Sequence, residues 1–274
     1  MDSDLGSQEK TPLLQKGVYH PPSKTDLRGP CSLVNALANH GYIPRDGHDI
    51  RAKELYTALD VTGLDRMLRW GFAYGSLVEH FDDPLTGFWA FIRNPFACLL
   101  RRFGMRPPGQ KDSSGIPYLN LDQLALPGAV EHDVSLTRRD IGQGDNITCQ
   151  EDLVSGLISI SSNGREITTN EFAVRRRQRL EQQKRENPSL TFDAIAHQLG
   201  CTEIALIQKL FGVKSRGYSV PVPYIKAIFE DERLPVKEGW TKRSWWHLGL
   251  MELYAHIELL KRRIGPVKYT TPPR

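Results

Sequence analysis

Three short stretches carry side chains able to do chemistry. Cys31 stands in Arg28-Gly29-Pro30-Cys31-Ser32-Leu33-Val34-Asn35, directly before an apolar segment. Pro30 steers Gly29 away from helical geometry, so a helix that opens at Cys31 turns its free N–H groups toward the sulfur. Those N–H groups and the helix dipole favour a thiolate, a nucleophile or a metal ligand. The plainer alternative is a small buried residue at the head of a core helix. The second stretch is Glu131-His132-Asp133-Val134-Ser135-Leu136-Thr137-Arg138. Carboxylate, carbonyl and hydroxyl oxygens there suit a hard cation such as Mg²⁺ or Mn²⁺, and a histidine beside them can move a proton. Taken alone, the cluster reads more simply as a charged surface turn. The third stretch begins at Arg175-Arg176-Arg177, with Arg179, Lys184 and Arg185 following. Interleaved carboxylates and amides make it a solvated helix face rather than a phosphate site.

The elements that must hold these residues read as helices. Leu33, Ala36, Leu37 and Ala38 fall at helical spacing before the break His40-Gly41, and Ile50, Leu55, Tyr56 and Leu59 share one helical face. Further helices are expected at roughly 151–160, 170–186, 191–199, 202–212, 221–231 and 244–263. Period-2 runs are few, so the expected fold is all-α, one helical domain over residues 29–265 with little or no β-structure. A flexible N-terminal arm is expected over 1–28 and a tail over 266–274. Residues 104–130 are rich in Pro, Gly and Ser and read as a long loop. Trp240, Trp245 and Trp246 read as core.

Composition narrows the function classes. The 274 residues carry 36 Lys+Arg against 32 Asp+Glu, a net charge of +4, too little for a nucleic-acid coat protein. Four cysteines without a CxxC pair exclude a disulfide scaffold and a zinc ribbon. The opening MDSDLGSQEKTPLLQKG has no apolar core of a secretion signal, so an intracellular location is expected, or a secreted one if a targeting segment is missing. The aromatic, basic stretch 87–103 has the composition of a membrane-contact segment or an apolar channel wall, but core packing is the simpler reading. Asn146-Ile147-Thr148 is a glycosylation sequon, idle without secretion.

Together the first two stretches resemble the fungal heme-thiolate peroxidases, the family of chloroperoxidase and the unspecific peroxygenases. Pro30-Cys31-Ser32-Leu33-Val34-Asn35-Ala36-Leu37-Ala38-Asn39-His40-Gly41-Tyr42-Ile43-Pro44-Arg45-Asp46-Gly47 is similar to that family's opening signature. Glu131-His132-Asp133 with Ser135 and Arg138 is similar to its second motif, in the form of the short, chloroperoxidase-like branch. Phe172 to Pro188 and Phe229 to Trp240 are also similar, and the likeness runs from about residue 18 to 245. It implies a helical fold around heme b, with Cys31 as axial thiolate to the iron. It implies Glu131, the backbone of His132 and Ser135 as ligands of Mg²⁺ or Mn²⁺, and a distal glutamate oriented by His132. By spacing that acid is Glu203, since 203 − 132 = 71 and it follows Asn187-Pro188; Glu171 is the alternative. The implied partners are hydrogen peroxide and a small apolar or aromatic substrate, or a halide, with no nucleic acid. The chain departs from the pattern at Ser32, where the family has Pro, and in an apparent insertion over 84–118. The competing reading is a helix-turn-helix regulator built from Thr191 to Phe211 with Gly200 at the turn, or a catalytically inactive interaction protein. The second of those helices begins with an acid and continues apolar, which does not suit a groove-reading helix.

Overall fold

The computed structural model describes residues 15–80, 104–127, 130–243 and 247–270. Among these, helices dominate: α1 (Ser32–Asn39), α2 (Ala52–Ala58), α3 (Arg66–Ser76), α4 (Glu151–Ile158), α5 (Thr169–Glu186), α6 (Ala194–Phe211), α7 (Val222–Phe229) and α8 (Leu250–Ile264). The one sheet has two short strands, β1 (Glu166–Ile167) and β2 (Val220–Pro221), antiparallel with Ile167 opposite Val220. The expected all-α architecture holds.

Helix starts follow from capping. Asp65 accepts from Leu68 N at 2.8 Å to open α3, and Asp193 accepts from Ile195 N and Ala196 N at 2.9 and 2.8 Å to open α6. At α5, Thr168 and Glu171 form a reciprocal capping box, which commits the carboxylate of Glu171, the alternative acid by sequence, to the backbone. α6 is the central element. Ile204 and Ala205 are fully buried, and α8 packs against both α6 and α5.

The structure corrects several expectations. Residues 191–212 are not a helix-turn-helix: α6 runs unbroken from Ala194 to Phe211, with Gly200 in its interior. Glycine there makes room, because a Cβ would collide with the Arg176 guanidinium. The arginine run is not a solvated face, since Arg176 and Arg179 are fully buried. Helix α3 carries no sequence expectation at all. The last helix begins at Leu250, and residues 244–246, with Trp245 and Trp246, lie outside the described residues, as does all of 84–103. Trp240 is in the core, its Nε1 donating to Leu210 O at 2.8 Å. Residues 15–28, part of the expected arm, lie against the domain: Gly17 N, His20 N and Leu27 N donate to His40 O, Asn39 O and Asp46 O. No helix among the described residues is long and apolar enough to cross a membrane.

Candidate active site

The segment around Cys31 is held by side chains of its own signature. Gly29 lies so close to Leu121 O and the Leu124 side chain that a Cβ would not fit. Asn35 folds back on it, accepting from Gly29 N at 3.0 Å and donating to Gly29 O at 2.8 Å, which closes a loop around Pro30 and Cys31. The same Asn35 Nδ2 donates to Glu232 Oε1 at 2.8 Å, and Arg138 Nη2 donates to that oxygen at 2.7 Å. Asn39 reaches the Glu232 carbonyl at 3.0 Å and accepts from Arg28. His40 accepts from Leu234 N, and Arg45 binds Asn39 O. Glu232 thus ties the first stretch to the second, from a left-handed backbone conformation with φ 47°. It was not a sequence candidate. Its only signal was its place in the 229–240 stretch.

Cys31 is the N-cap of α1, in extended conformation with φ −87° and ψ 99°. The N–H groups of Leu33 and Val34 favour its thiolate without closing a capping hydrogen bond. The side chain is exposed, yet burial is the largest influence on the thiol and holds it above its ordinary pKa. A sulfur that is accessible and yet feels the surrounding protein more than water is free to meet a ligand that excludes water.

Glu203 has the same double character. Its side chain is 49% exposed. Burial pushes its carboxyl up, but His132, Arg176 and Arg138 outweigh that and hold it below the ordinary value. His132 is buried and stands at 3.4 Å, Nε2 to Glu203 Oε1. That is ion-pair distance, without hydrogen-bond alignment, as catalytic contacts often are before substrate binds. Its Nδ1 contacts Asp133 O at 2.8 Å, which fixes the ring plane. Burial pushes the His132 pKa down, and Glu203 reverses this to leave it raised. Cys31 also senses the Glu203 charge, so thiol and carboxylate share one electrostatic environment.

Glu131 lies beside this pair. Burial, with Glu203 adding to it, drives its carboxyl up to about 8 against the opposing pull of His132 and Asn146. The sequon residue Asn146 is therefore engaged inside, against Glu131 and Ala125 O. Ser135 is half-buried, and its carbonyl accepts from Arg179 Nε at 2.9 Å. No group of three or more His, Cys, Asp and Glu among the described residues could hold a metal. A cation at Glu131 would therefore complete its shell with carbonyl, hydroxyl or water oxygens, which suits a hard ion. His197, on α6 ahead of Glu203, is buried against Phe192 and Tyr269 and stays neutral, its pKa lowered to about 4 by burial.

Comparison with known proteins bears on the whole arrangement. Residues 17–245 match the family model described as peroxidase, family 2. The chain is 36% identical over 126 residues to a chloroperoxidase of Leptoxyphium fumago, covering 46% of this chain and 27% of that protein. It is 27% identical over 176 residues to an aromatic peroxygenase of Coprinellus radians, covering 64% and 62%. It is 53% identical over 149 residues to a dothistromin biosynthesis peroxidase of Dothistroma septosporum, covering 52% and 31%. The aligned stretches span between about a quarter and three fifths of these relatives' own lengths.

The frame around Cys31 makes a stability prediction. Glu232→Ala leaves the Arg138 guanidinium, 2% exposed, without its carboxylate. Stranding one partner of a buried pair costs about 3–5 kcal/mol. Denaturant unfolding should show that loss for Glu232→Ala and less than about 0.5 kcal/mol for the exposed neighbour Glu230→Ala. Equal small losses would remove Glu232 from this role.

Proposed function

The chain belongs to peroxidase family 2, and from that premise we propose that it is a heme-thiolate peroxidase or peroxygenase. It would use hydrogen peroxide to oxygenate or oxidise small apolar or aromatic organic molecules. The carrying observation is that an accessible, desolvated thiol at a helix N-terminus shares its surroundings with a buried histidine and its carboxylate partner. Heme b held by the Cys31 sulfur would supply the iron at which the peroxide O–O bond breaks, a cleavage that thiolate ligation favours. With its thiol pKa raised, Cys31 would give up its proton on binding iron.

The remaining work falls to the chain's own side chains. Glu203 would take a proton from one oxygen of hydrogen peroxide and return it to the other, which would leave as water when the O–O bond breaks. His132 holds the carboxylate from behind through Nε2, and its own orientation is fixed by Asp133 O. Buried surroundings strengthen this pairing relative to water. The relatives named as aromatic peroxygenase, chloroperoxidase and dothistromin biosynthesis peroxidase support organic substrates, with halides served by the same first step. The regulator reading loses its second helix to the continuity of α6.

Glu131, the His132 carbonyl and the Ser135 hydroxyl are proposed as ligands of Mg²⁺ or Mn²⁺. The support is a buried carboxyl whose ionisation burial opposes, and which a cation would compensate.

Two experiments test these assignments. Glu203→Gln should keep its heme but lose oxygen transfer from peroxide by about 10²–10⁴-fold; near-normal turnover would move the acid elsewhere. For the cation, melting temperature should rise with added Mg²⁺ and fall with a chelator, and Glu131→Gln should abolish both responses. An undiminished Mg²⁺ response in Glu131→Gln would refute the site.

A further inference from the structure

Helix α5 sends two arginines inward, and both end on the loop that carries His132. Arg176 Nη1 donates to Val134 O, and Arg179 Nε donates to Ser135 O at 2.9 Å. Arg176 reaches a second element as well. Its Nη2 donates to Ala196 O, at 3.1 Å, in the first turn of α6, the helix that carries Glu203. The guanidinium lies against the ring of Phe192 and fills the space left by Gly200, one turn before Glu203. It is fully buried, and these two hydrogen bonds go to backbone carbonyls rather than to a carboxylate. A buried charge spent on two carbonyls, with a glycine kept free to admit it, is a costly way to pack two elements.

Val134 shows what the contact holds. It is completely buried and left-handed, with φ 67°, a conformation strongly disfavoured for a β-branched residue. Its N–H is fixed by Asp140 Oδ1 at 2.8 Å, and Asp140 is held in turn by Asn187 Nδ2 at 3.0 Å. Its carbonyl is fixed by Arg176. This turn follows directly on His132-Asp133, so it sets the direction from which the imidazole meets α6.

We infer that Arg176 is a positioning residue for the acid–base pair, a clamp between Val134 O and Ala196 O that sets the approach of His132 to Glu203. The inference rests on the reading of Glu203 as the acid. It assigns Arg176 no contact with peroxide or substrate.

A double-mutant cycle in the heme-loaded full chain tests it, with hydrogen peroxide and a methoxyphenol as the probe reaction. Arg176→Met should lower kcat at least tenfold, leave the KM for the phenol within twofold, and keep the thiolate-type carbonyl spectrum. Arg176→Lys, which keeps the charge and reaches one carbonyl, should recover part of the loss. In the Glu203→Gln background, adding Arg176→Met should cost less than twofold, because the pair it serves is already broken. In a crystal structure of Arg176→Met, the His132 Nε2 to Glu203 Oε1 separation should lengthen beyond 4 Å from the present 3.4 Å. Gly200→Ala, whose Cβ displaces the guanidinium, should reproduce the kcat loss if Arg176→Met does not fold. Fully additive losses, or an unchanged separation with unchanged kcat, would overturn the clamp while leaving the acid in place. Normal turnover by Glu203→Gln alone would overturn the acid assignment, and the clamp with it.

Discussion

Glu232 Oε1 accepts from Asn35 Nδ2 at 2.8 Å and from Arg138 Nη2 at 2.7 Å, and through that one atom the two signature stretches become a single body. Asn35 uses its other contacts to close the loop before Cys31, and Arg138 anchors the end of the segment that presents Glu131, His132 and Ser135. A carboxylate paired with a guanidinium in partial burial gains when a further donor reaches it, and here Asn35 is that donor, on the same oxygen as Arg138. The asparagine four residues after the cysteine and the arginine seven residues after Glu131 thus do structural work for the chemistry beside them.

That rigidity matters because the candidate site combines two opposed properties. Cys31 and Glu203 are accessible, yet desolvation is the largest single influence on each, and at Glu203 its neighbours together outweigh it. Groups in such a place interact strongly with whatever enters, since little water screens them. They also need neighbours to set their protonation, and the neighbours are specific. His132, Arg176 and Arg138 keep Glu203 ionised against its burial, whereas at Glu131 the pull of His132, Asn146 and Arg138 does not overcome burial and the carboxyl is pushed up to about 8. Carboxylates so close in the fold, yet so different in environment, suit the two tasks proposed for them, one moving protons and the other meeting a cation.

Much of this was legible in the sequence, and the limits are physical. The Cys31 segment was legible because its roles need fixed residue types at fixed spacing: a close-packed glycine, a proline that starts the helix, amides at 35 and 39 that reach Gly29 and Glu232. Glu203 could be placed by spacing, and the fold brings it to His132. Glu232 was not legible, because its partner lies 197 residues away and nothing local marks it. Gly200 misled, since glycine in a helical pattern signals a turn in most settings, and only the buried guanidinium of Arg176 explains it here. The arginine run misled for the same reason: its carbonyl partners lie on distant segments. Helix α3 was missed because its apolar residues Met67, Trp70, Phe72 and Tyr74 are exposed rather than gathered on one buried stripe.

The account stands on Cys31 being presented to a metal by this frame, and the most direct measurement is the visible spectrum of the full chain expressed with heme, reduced under carbon monoxide. The account predicts a strongly red-shifted Soret band, the mark of a thiolate opposite the carbonyl, that disappears in Cys31→Ala. A histidine-type carbonyl spectrum, no heme uptake, or the same red-shifted band in Cys31→Ala would contradict it.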